Sequence, residues 1–346
     1  MAEVIRVIQY GLGPIGCAIA RHILERRGVE LVGAVDIDPQ KVGRDAGEII
    51  GTAYPLGFPV YARLTDALTQ APAHVAIHST NSYLACIKGQ IIELLEAGLD
   101  VISTAEELSF PWLAHPEDAQ ELDAIAKRYG KRVLGTGVNP GFLMDTLPIA
   151  LTAICQSVES IAVTRCVNAA TRRGPFQAKI GSGMTPEAFN AKIAEGGIGH
   201  VGLRESMDAI AHTLGRSLAR YEITVEPILA EKPIVTEHFS VKPGQVCGLK
   251  QVGRGFTDTG EFITLTFLAA LNVEDEGDVI EIKGLPSLKI TLHGTNGDWA
   301  TVAITVNVLP RVREVAPGLV AMRDLPLVHH WLDISPISLG LTRSRA

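Results

Sequence analysis

The sequence predicts an α/β protein: a doubly wound parallel sheet followed by a second α+β domain with a mostly antiparallel sheet. Three observations predict it. The first part of the chain alternates apolar strand segments with amphipathic helices, the order that places a parallel sheet between helical layers. A glycine turn joins the first strand to the first helix. From about Ser157 the pattern changes to strict period-two alternation, which leaves one sheet face polar and favours antiparallel pairing.

The first strand, turn and helix are the most specific. Ile5–Tyr10 reads as a strand, and Gly11-Leu12-Gly13-Pro14-Ile15-Gly16 is a complete G-x-G-x-x-G. A helix follows to Leu24, and a second strand, Glu30–Val35, stops at Asp36. Gly11 permits the tight turn, Gly13 lets backbone approach a pyrophosphate, and Gly16 lets the helix pack on the strand. The helix N-terminus offers free N–H groups to phosphate. Asp36 stands ~20 residues past the last glycine, where a Rossmann fold places its ribose ligand. Its charge repels a 2′-phosphate, so NAD is the expected cofactor. Arg44, or Lys41, is available to neutralise a 2′-phosphate, so NADP is expected to be tolerated. The bland alternative for both residues is a solvated loop.

Later elements follow in order. Strands are predicted at His74–Thr80, Asp100–Thr104 and Arg132–Thr136, with helices at Leu64–Leu68, Leu84–Ala97 and Pro116–Tyr129. Ligands of open α/β sheets sit beyond the carboxyl ends of strands. The glycine turn, Ser79–Ser82, Thr104–Glu107 and Gly137–Phe142 are therefore expected to line one crevice. Ser79, Thr80, Asn81, Thr104 and Asn139 are its further cofactor-binding candidates. In the second domain, strands are predicted at Ser160–Val167, Ile223–Leu229, Gln245–Val252, Phe262–Leu268, Val279–Gly284 and Leu288–His293. Helices are predicted at Pro186–Ala194 and Ser206–Leu218. Trp299–Val308 reads as a helix ended by Pro310. The expected division is a dinucleotide-binding domain at 1–150, a substrate and dimerisation domain at 151–298, and a segment, 299–346, returning to the first domain.

Composition bounds the class. The 346 residues are 47% hydrophobic and 20% charged, which suits a packed enzyme rather than a disordered chain. A net charge of −7 advertises no nucleic-acid surface. No uncharged apolar run reaches the ~18 residues of a membrane span. The N-terminus enters a strand at once, which argues against a signal peptide. Cys17, Cys86, Cys155, Cys166 and Cys247 are scattered and form no C-x-x-C pair. They read as small hydrophobes in a reducing compartment, so a cytoplasmic location is expected.

Several residues are candidates for chemistry. Glu106 and Glu107 sit at a strand exit, partly dehydrated by Phe110, Pro111 and Trp112, as a proton-shuttling carboxylate requires. The alternative is an acidic first helical turn placed for the dipole. His200 lies in a glycine-rich loop and is a candidate to orient substrate or relay a proton. His329-His330 lacks a third ligand, so no metal is expected. No nucleophile elbow, H-E-x-x-H or P-loop occurs.

These blocks together resemble the native amine dehydrogenases and the related 2,4-diaminopentanoate dehydrogenases, which share a dihydrodipicolinate reductase-like architecture. The resemblance runs nearly end to end. Its most specific parts are Thr104-Ala105-Glu106-Glu107-Leu108-Ser109-Phe110-Pro111 and Gly135-Thr136-Gly137-Val138-Asn139-Pro140-Gly141-Phe142. Further parts are Val35–Pro39, Gly199-His200-Val201-Gly202-Leu203 and Asp298–Thr301 through Pro317–Leu319. The resemblance implies a catalytic carboxylate in the first block, with Glu106 preferred and Glu107 the fallback. It also implies a homodimer formed through the second-domain sheet. The paired-histidine and lysine motif of true dihydrodipicolinate reductases is missing from the second domain, which disfavours a ring dicarboxylate. Phe142, Phe176, Met184 and Leu203, with His200, are the substrate candidates, and their apolar character fits an unfunctionalised carbonyl or amine. The expected activity is NAD(P)-dependent reductive amination of a small aldehyde or ketone with ammonia. The alternatives are oxidative deamination of 2,4-diaminopentanoate, with Glu205 or Asp145 facing its second ammonium, and a non-catalytic NAD sensor.

Overall fold

The computed structural model describes residues 4–334. Its first half alternates β1 (Ile5–Tyr10), α1 (Pro14–Leu24), β2 (Val29–Val35), α2 (Ala46–Ile50), β3 (Val60–Tyr61) and α3 (Leu64–Gln70). It continues with β4 (Val75–His78), α4 (Leu84–Glu96), β5 (Asp100–Ser103), α5 (Pro116–Tyr129) and β6 (Arg132–Gly135). Helix α1 opens with Pro14, whose missing N–H costs nothing in a first turn, and buries Gly16, Ile19, Ala20 and Ile23 along one stripe. Helix α5 has Glu117 and Asp118 in its first turn and Lys127 and Arg128 in its last, matching the helix dipole at both ends. Gly130 then stops it at φ 67°, a backbone geometry that favours glycine. Strands β4 and β5 are buried throughout, as strands covered by helices on both faces must be.

The second unit spans Phe142–Asn296. It holds α6 (Thr146–Leu151), β7 (Ser157–Asn168), α7 (Gly174–Lys179), α8 (Pro186–Ala194), α9 (Leu203–Thr213) and β8 (Arg220–Leu229). The pair β9 (Ile234–Val235) and β10 (Ser240–Val241) precedes β11 (Val246–Thr257), β12 (Gly260–Ala270), β13 (Gly277–Leu285) and β14 (Leu288–Leu292). Six strands pair in the order β14-β13-β7-β12-β11-β8. The sheet is mostly antiparallel, and β7 with β12 is its parallel pair. One face buries Ile161, Val163, Val167, Leu249, Ile263, Leu265, Phe267, Ile280 and Ile282. On the other face, Thr224, Val252, Thr266, Thr164, Val279 and Thr291 stand opposite one another in a single row across all six strands. None of the six is buried. Helix α9 starts earlier than its periodicity predicts, after Gly202 at φ 105°.

The chain then rejoins the first unit from Gly297. Helix α10 (Gly297–Asn307) is followed by α11 (Leu309–Val312) and β15 (Gly318–Val320). Pro310 opens α11 rather than ending the preceding helix, since a first-turn proline loses no hydrogen bond. Strand β15 pairs in parallel with β6, completing the seven-stranded order β15-β6-β5-β4-β1-β2-β3. Residues 335–346 of the returning segment lie outside the described residues.

Candidate active site

The glycine turn has the close contacts a phosphate cradle needs. Gly11 sits at φ 93°, and a Cβ there would lie 2.5 Å from the Ser79 carbonyl oxygen. A Cβ on Gly16 would lie 2.0 Å from the Gly11 carbonyl oxygen, so this glycine sets how closely α1 meets the turn. Gly13 is different: no heavy atom lies within 4 Å of its Cβ position. That is the space the turn leaves for a pyrophosphate at the N-terminus of α1. Gln9 braces the turn by donating to the Gly11 carbonyl at 3.0 Å and to Ser79 Oγ at 2.7 Å. Leu12 is buried, and Ile15 packs against the sheet core. The turn fits a dinucleotide, which when bound supplies hydride transfer.

Asp36 is joined to this turn directly. Its Oδ2 accepts the Leu12 N–H at 2.7 Å and the Lys41 Nζ at 3.1 Å, while Oδ1 accepts the Asp38 N–H at 2.9 Å. Burial raises its carboxyl, but the Asp38 and Leu12 N–H groups and the Lys41 ammonium outweigh it and hold Asp36 below the usual carboxylate range. Lys41 is raised in turn, because Asp36 and Asp38 outweigh its desolvation. Arg44 is turned elsewhere: its guanidinium bonds Glu48 Oε1 at 2.5 Å and Oε2 at 3.3 Å, and the Gln40 carbonyl at 3.1 Å. Of the two basic candidates, Lys41 stands at the acid and Arg44 does not.

The strand ends beyond the turn are tied to one another. His78 is fully buried at the end of β4, with Nδ1 2.9 Å from Ser103 Oγ and Nε2 2.7 Å from Gln90 Oε1. Burial pushes its imidazole down to about 4, against the partial offset of the Gln90 bond. The Thr80 hydroxyl completes the group, 2.9 Å from His78 Nε2 and donating to Gln90 Oε1 at 2.7 Å. Thr104 donates its N–H to the His78 carbonyl at 3.0 Å. Asn81 Oδ1 accepts the Tyr83 N–H at 3.0 Å, fixing the approach to α4. Asn139 is buried in the loop after β6, where the Val138 N–H meets Thr301 Oγ1 at 3.3 Å.

The two glutamates have separate environments. Glu107 Oε2 accepts the Leu84 N–H at 2.6 Å, the first amide of α4, and lies 3.5 Å from His115 Nε2. This carboxylate satisfies an orphan helix donor. Glu106 precedes it in a short turn and is half-buried as a residue. The Glu106 carbonyl accepts the Ser109 N–H at 3.1 Å and the Ser109 hydroxyl at 2.7 Å.

In the second unit, Phe176, Met184 and Phe267 share one apolar cluster, and the His200 ring stacks on Phe267 at 4.8 Å between centroids. Gln251 clamps the His200 backbone, accepting its N–H at 2.6 Å and donating to its carbonyl at 3.0 Å. Arg172, which sequence patterning did not single out, lies over the Phe176 ring at 5.0 Å. Phe142 is half-buried just before α6. Leu203 packs elsewhere in this unit. It is 2% exposed in a different cluster, packed with Met207 and Ile210 under the sheet, and so is a core residue. Asp145 is likewise a structural acid: it caps α6 through the Thr146 N–H and accepts the Ser206 hydroxyl at 2.8 Å. Glu205 is buried in the first turn of α9.

His329 and His330 pair with arginines: Arg311 Nη2 lies 2.7 Å from His329 Nε2, and Arg26 Nη1 lies 3.2 Å from His330 Nδ1. Among the described residues, no group of three or more His, Cys, Asp or Glu is placed to hold a metal ion. No helix among them is long and apolar enough to cross a membrane.

Comparison with known proteins gives the family. Residues 142–336 match the family model of the 2,4-diaminopentanoate dehydrogenase C-terminal domain, and residues 5–96 match that of the dihydrodipicolinate reductase N-terminus. The chain is 34% identical over 342 residues to the 2,4-diaminopentanoate dehydrogenase of Acetoanaerobium sticklandii, covering 94% of each. It is 21% identical over 350 residues to the amine dehydrogenase of Streptomyces virginiae, covering 93% of this chain and 96% of that relative. Among solved structures, the amine dehydrogenase from Mycobacterium smegmatis matches with a TM-score of 0.84 at 26% identity, covering 95% of this chain and 98% of that one.

Proposed function

The chain belongs to the 2,4-diaminopentanoate dehydrogenase family, NAD(P)-binding oxidoreductases acting on amine and carbonyl substrates, and from that premise we propose that it oxidatively deaminates a short diamino acid of the 2,4-diaminopentanoate type. The balance is amine, NAD(P)⁺ and water giving ketone, ammonium and NAD(P)H. A nicotinamide dinucleotide held by the glycine turn and Asp36 would supply the hydride acceptor for the carbon that bears nitrogen. Glu106 takes a proton from the substrate ammonium, freeing the lone pair that drives hydride departure. It releases that proton to solvent, steadies the substrate iminium as a carboxylate, and then takes a proton from the attacking water and passes it to the departing nitrogen. Reductive amination of a carbonyl is the same path reversed.

The observation that carries this assignment is the commitment of the Glu107 carboxylate to the Leu84 N–H. That makes Glu107 a helix-capping acid, and Glu106, in the same turn just past the carboxyl end of β5, is the proposed proton-transfer residue. NAD is the proposed preferred cofactor, on Asp36 beside the glycine turn. The diamino acid displaces the unfunctionalised carbonyl as the leading substrate on two grounds. The relative at 34% identity is a 2,4-diaminopentanoate dehydrogenase. Arg172 over Phe176 also puts a cation beside candidates that are otherwise apolar, a partner of the right sign for a substrate carboxylate. Glu205 is the proposed acid for the second ammonium. The second-domain sheet face, with its Thr and Val row, is the proposed homodimer surface.

The test is NAD(P)H formation from 2,4-diaminopentanoate, run beside NAD(P)H consumption by aldehydes and ketones in high ammonium. Turnover of the diamino acid well above simple amines is expected. Turnover of unfunctionalised carbonyls alone would return the assignment to amine synthesis.

A further inference from the structure

The acid that reads the ribose is already neutralised by a lysine, and this has a consequence for cofactor choice. A carboxylate offers about four lone-pair sites. Three on Asp36 are taken, by the Leu12 N–H, the Asp38 N–H and Lys41 Nζ. The first two donors are backbone and stay. Lys41 is the movable one: its Nζ lies 3.1 Å from Asp36 and 3.5 Å from Asp38, on a side chain 26% exposed. Its backbone is fixed in a tight turn, its N–H donating to the Asp38 carbonyl at 2.9 Å.

We propose that Lys41 sets the cofactor specificity of this protein, screening Asp36 so that a ribose 2′-phosphate is accepted and bonding that phosphate directly. The inference rests on the dinucleotide reading of the glycine turn. With a free 2′-hydroxyl, the ammonium stays on Asp36 or swings toward Asp38, and the carboxylate accepts from the ribose. With a 2′-phosphate, the ammonium bridges phosphate and carboxylate, cancelling the repulsion that would otherwise exclude NADP. Arg44 is the rival for this duty. Its three donor contacts to Glu48 and Gln40 must break before it reaches a phosphate.

The experiment is direct binding of NADH and NADPH, by titration of nicotinamide fluorescence, to the unaltered protein, Lys41→Met, Lys41→Arg and Arg44→Met. Thermal melts verify that each variant is folded. The unaltered protein is expected to bind both cofactors. Lys41→Met should weaken NADPH by about tenfold or more, the scale of one charge-assisted hydrogen bond, with NADH unchanged or tighter. Lys41→Arg should keep most of the NADPH affinity, and Arg44→Met should leave the NADPH-to-NADH ratio as it was. The proposal is overturned if Lys41→Met weakens both cofactors equally, if it leaves the ratio unchanged, or if Arg44→Met has the larger effect. Failure of the unaltered protein to bind either cofactor would instead overturn the dinucleotide reading, and the proposal with it.

Discussion

Exchanging the two adjacent glutamates one at a time separates stability from chemistry. Glu107 accepts the first amide of α4 at 2.6 Å and lies near His115. Glu107→Gln keeps an oxygen acceptor but loses the charge. Glu107→Ala loses both, and removal of such a cap costs about 1–2 kcal/mol. For a unit of this size that lowers Tm by roughly 2–4 °C per kcal/mol. Its turnover should fall only modestly. Glu106 makes the opposite prediction. Glu106→Gln keeps the shape of the side chain but cannot exchange protons or hold a negative charge beside an iminium. Loss of a general acid–base group costs about 10²–10⁴ in rate, or roughly 3–5 kcal/mol of barrier, with Tm nearly unchanged. The assay is initial NAD(P)H formation on all three variants, with a thermal melt and an NADH titration on each. NADH affinity should hold in Glu106→Gln, because the pyrophosphate and ribose contacts lie elsewhere. If Glu107→Gln is the inactive protein and Glu106→Gln turns over normally, the roles are reversed. If both keep near-normal rates, neither carboxylate moves the proton and the mechanism fails.

Other perturbations test separate parts of the argument. Gly13→Val should fold and lose NADH binding, since Gly13 has φ −68° and open space at its Cβ, whereas Gly16→Val should melt far lower because its Cβ meets the Gly11 carbonyl. Undiminished NADH binding by a folded Gly13→Val would move the cofactor site. His78 titrates near 4 when folded and at about 6.5 when unfolded, so the unfolded chain binds the extra proton between these values. Stability should therefore fall as pH drops through that window, by up to about 3 kcal/mol, and His78→Gln should remove this part of the slope in urea unfolding. An unchanged slope would show that His78 is not buried neutral. Arg172→Gln should raise KM for a carboxylate-bearing diamine and leave a carboxylate-free amine nearly unaffected; equal effects on both would reject its pairing with substrate. Thr164→Arg with Thr266→Arg, placed side by side on the sheet face, should convert a dimer to monomers by light scattering. A dimer that survives both changes uses another surface.

What the sequence revealed divides along physical lines. The glycine turn, β1, β2 and Asp36 were legible because each glycine has a local steric reason and the spacing is short-range. Strand β3 has two residues and β15 has three, too few for any periodicity to register, so the outer strands of the first sheet were not anticipated. Leu203 and Phe176 are equally apolar in the sequence. What separates them is which cluster each packs into, a long-range fact. Asp145 reads as a possible ligand until Thr146 and Ser206 are seen bonded to it. Lys41 and Arg44 are close together in one loop, and only the partners of each distinguish the residue that reaches Asp36.

The proposed division of duties between the neighbouring glutamates has a local structural basis. Glu106–Leu108 form one tight turn, so successive side chains leave it in different directions. The turn is held on several sides. The Glu107 N–H donates to the Ser82 carbonyl at 3.2 Å, and the Glu106 carbonyl takes both the Ser109 N–H and its hydroxyl. Below it, Gly135 lets the Leu108 backbone sit where a Cβ would come within 2.3 Å. Glu107 then adds a side-chain anchor to Leu84, tying the turn to the helix that starts beside Ser79–Ser82. A carboxylate on a turn braced in this way pays little entropy to hold one geometry, which is what proton transfer demands. On this account the structural glutamate positions the chemical one. Glu107→Ala should therefore broaden the position of Glu106 before it unfolds the protein, seen as a kcat that falls modestly with KM unchanged. A Glu107→Ala variant with lowered Tm and fully normal kcat would reduce Glu107 to a helix cap and nothing more.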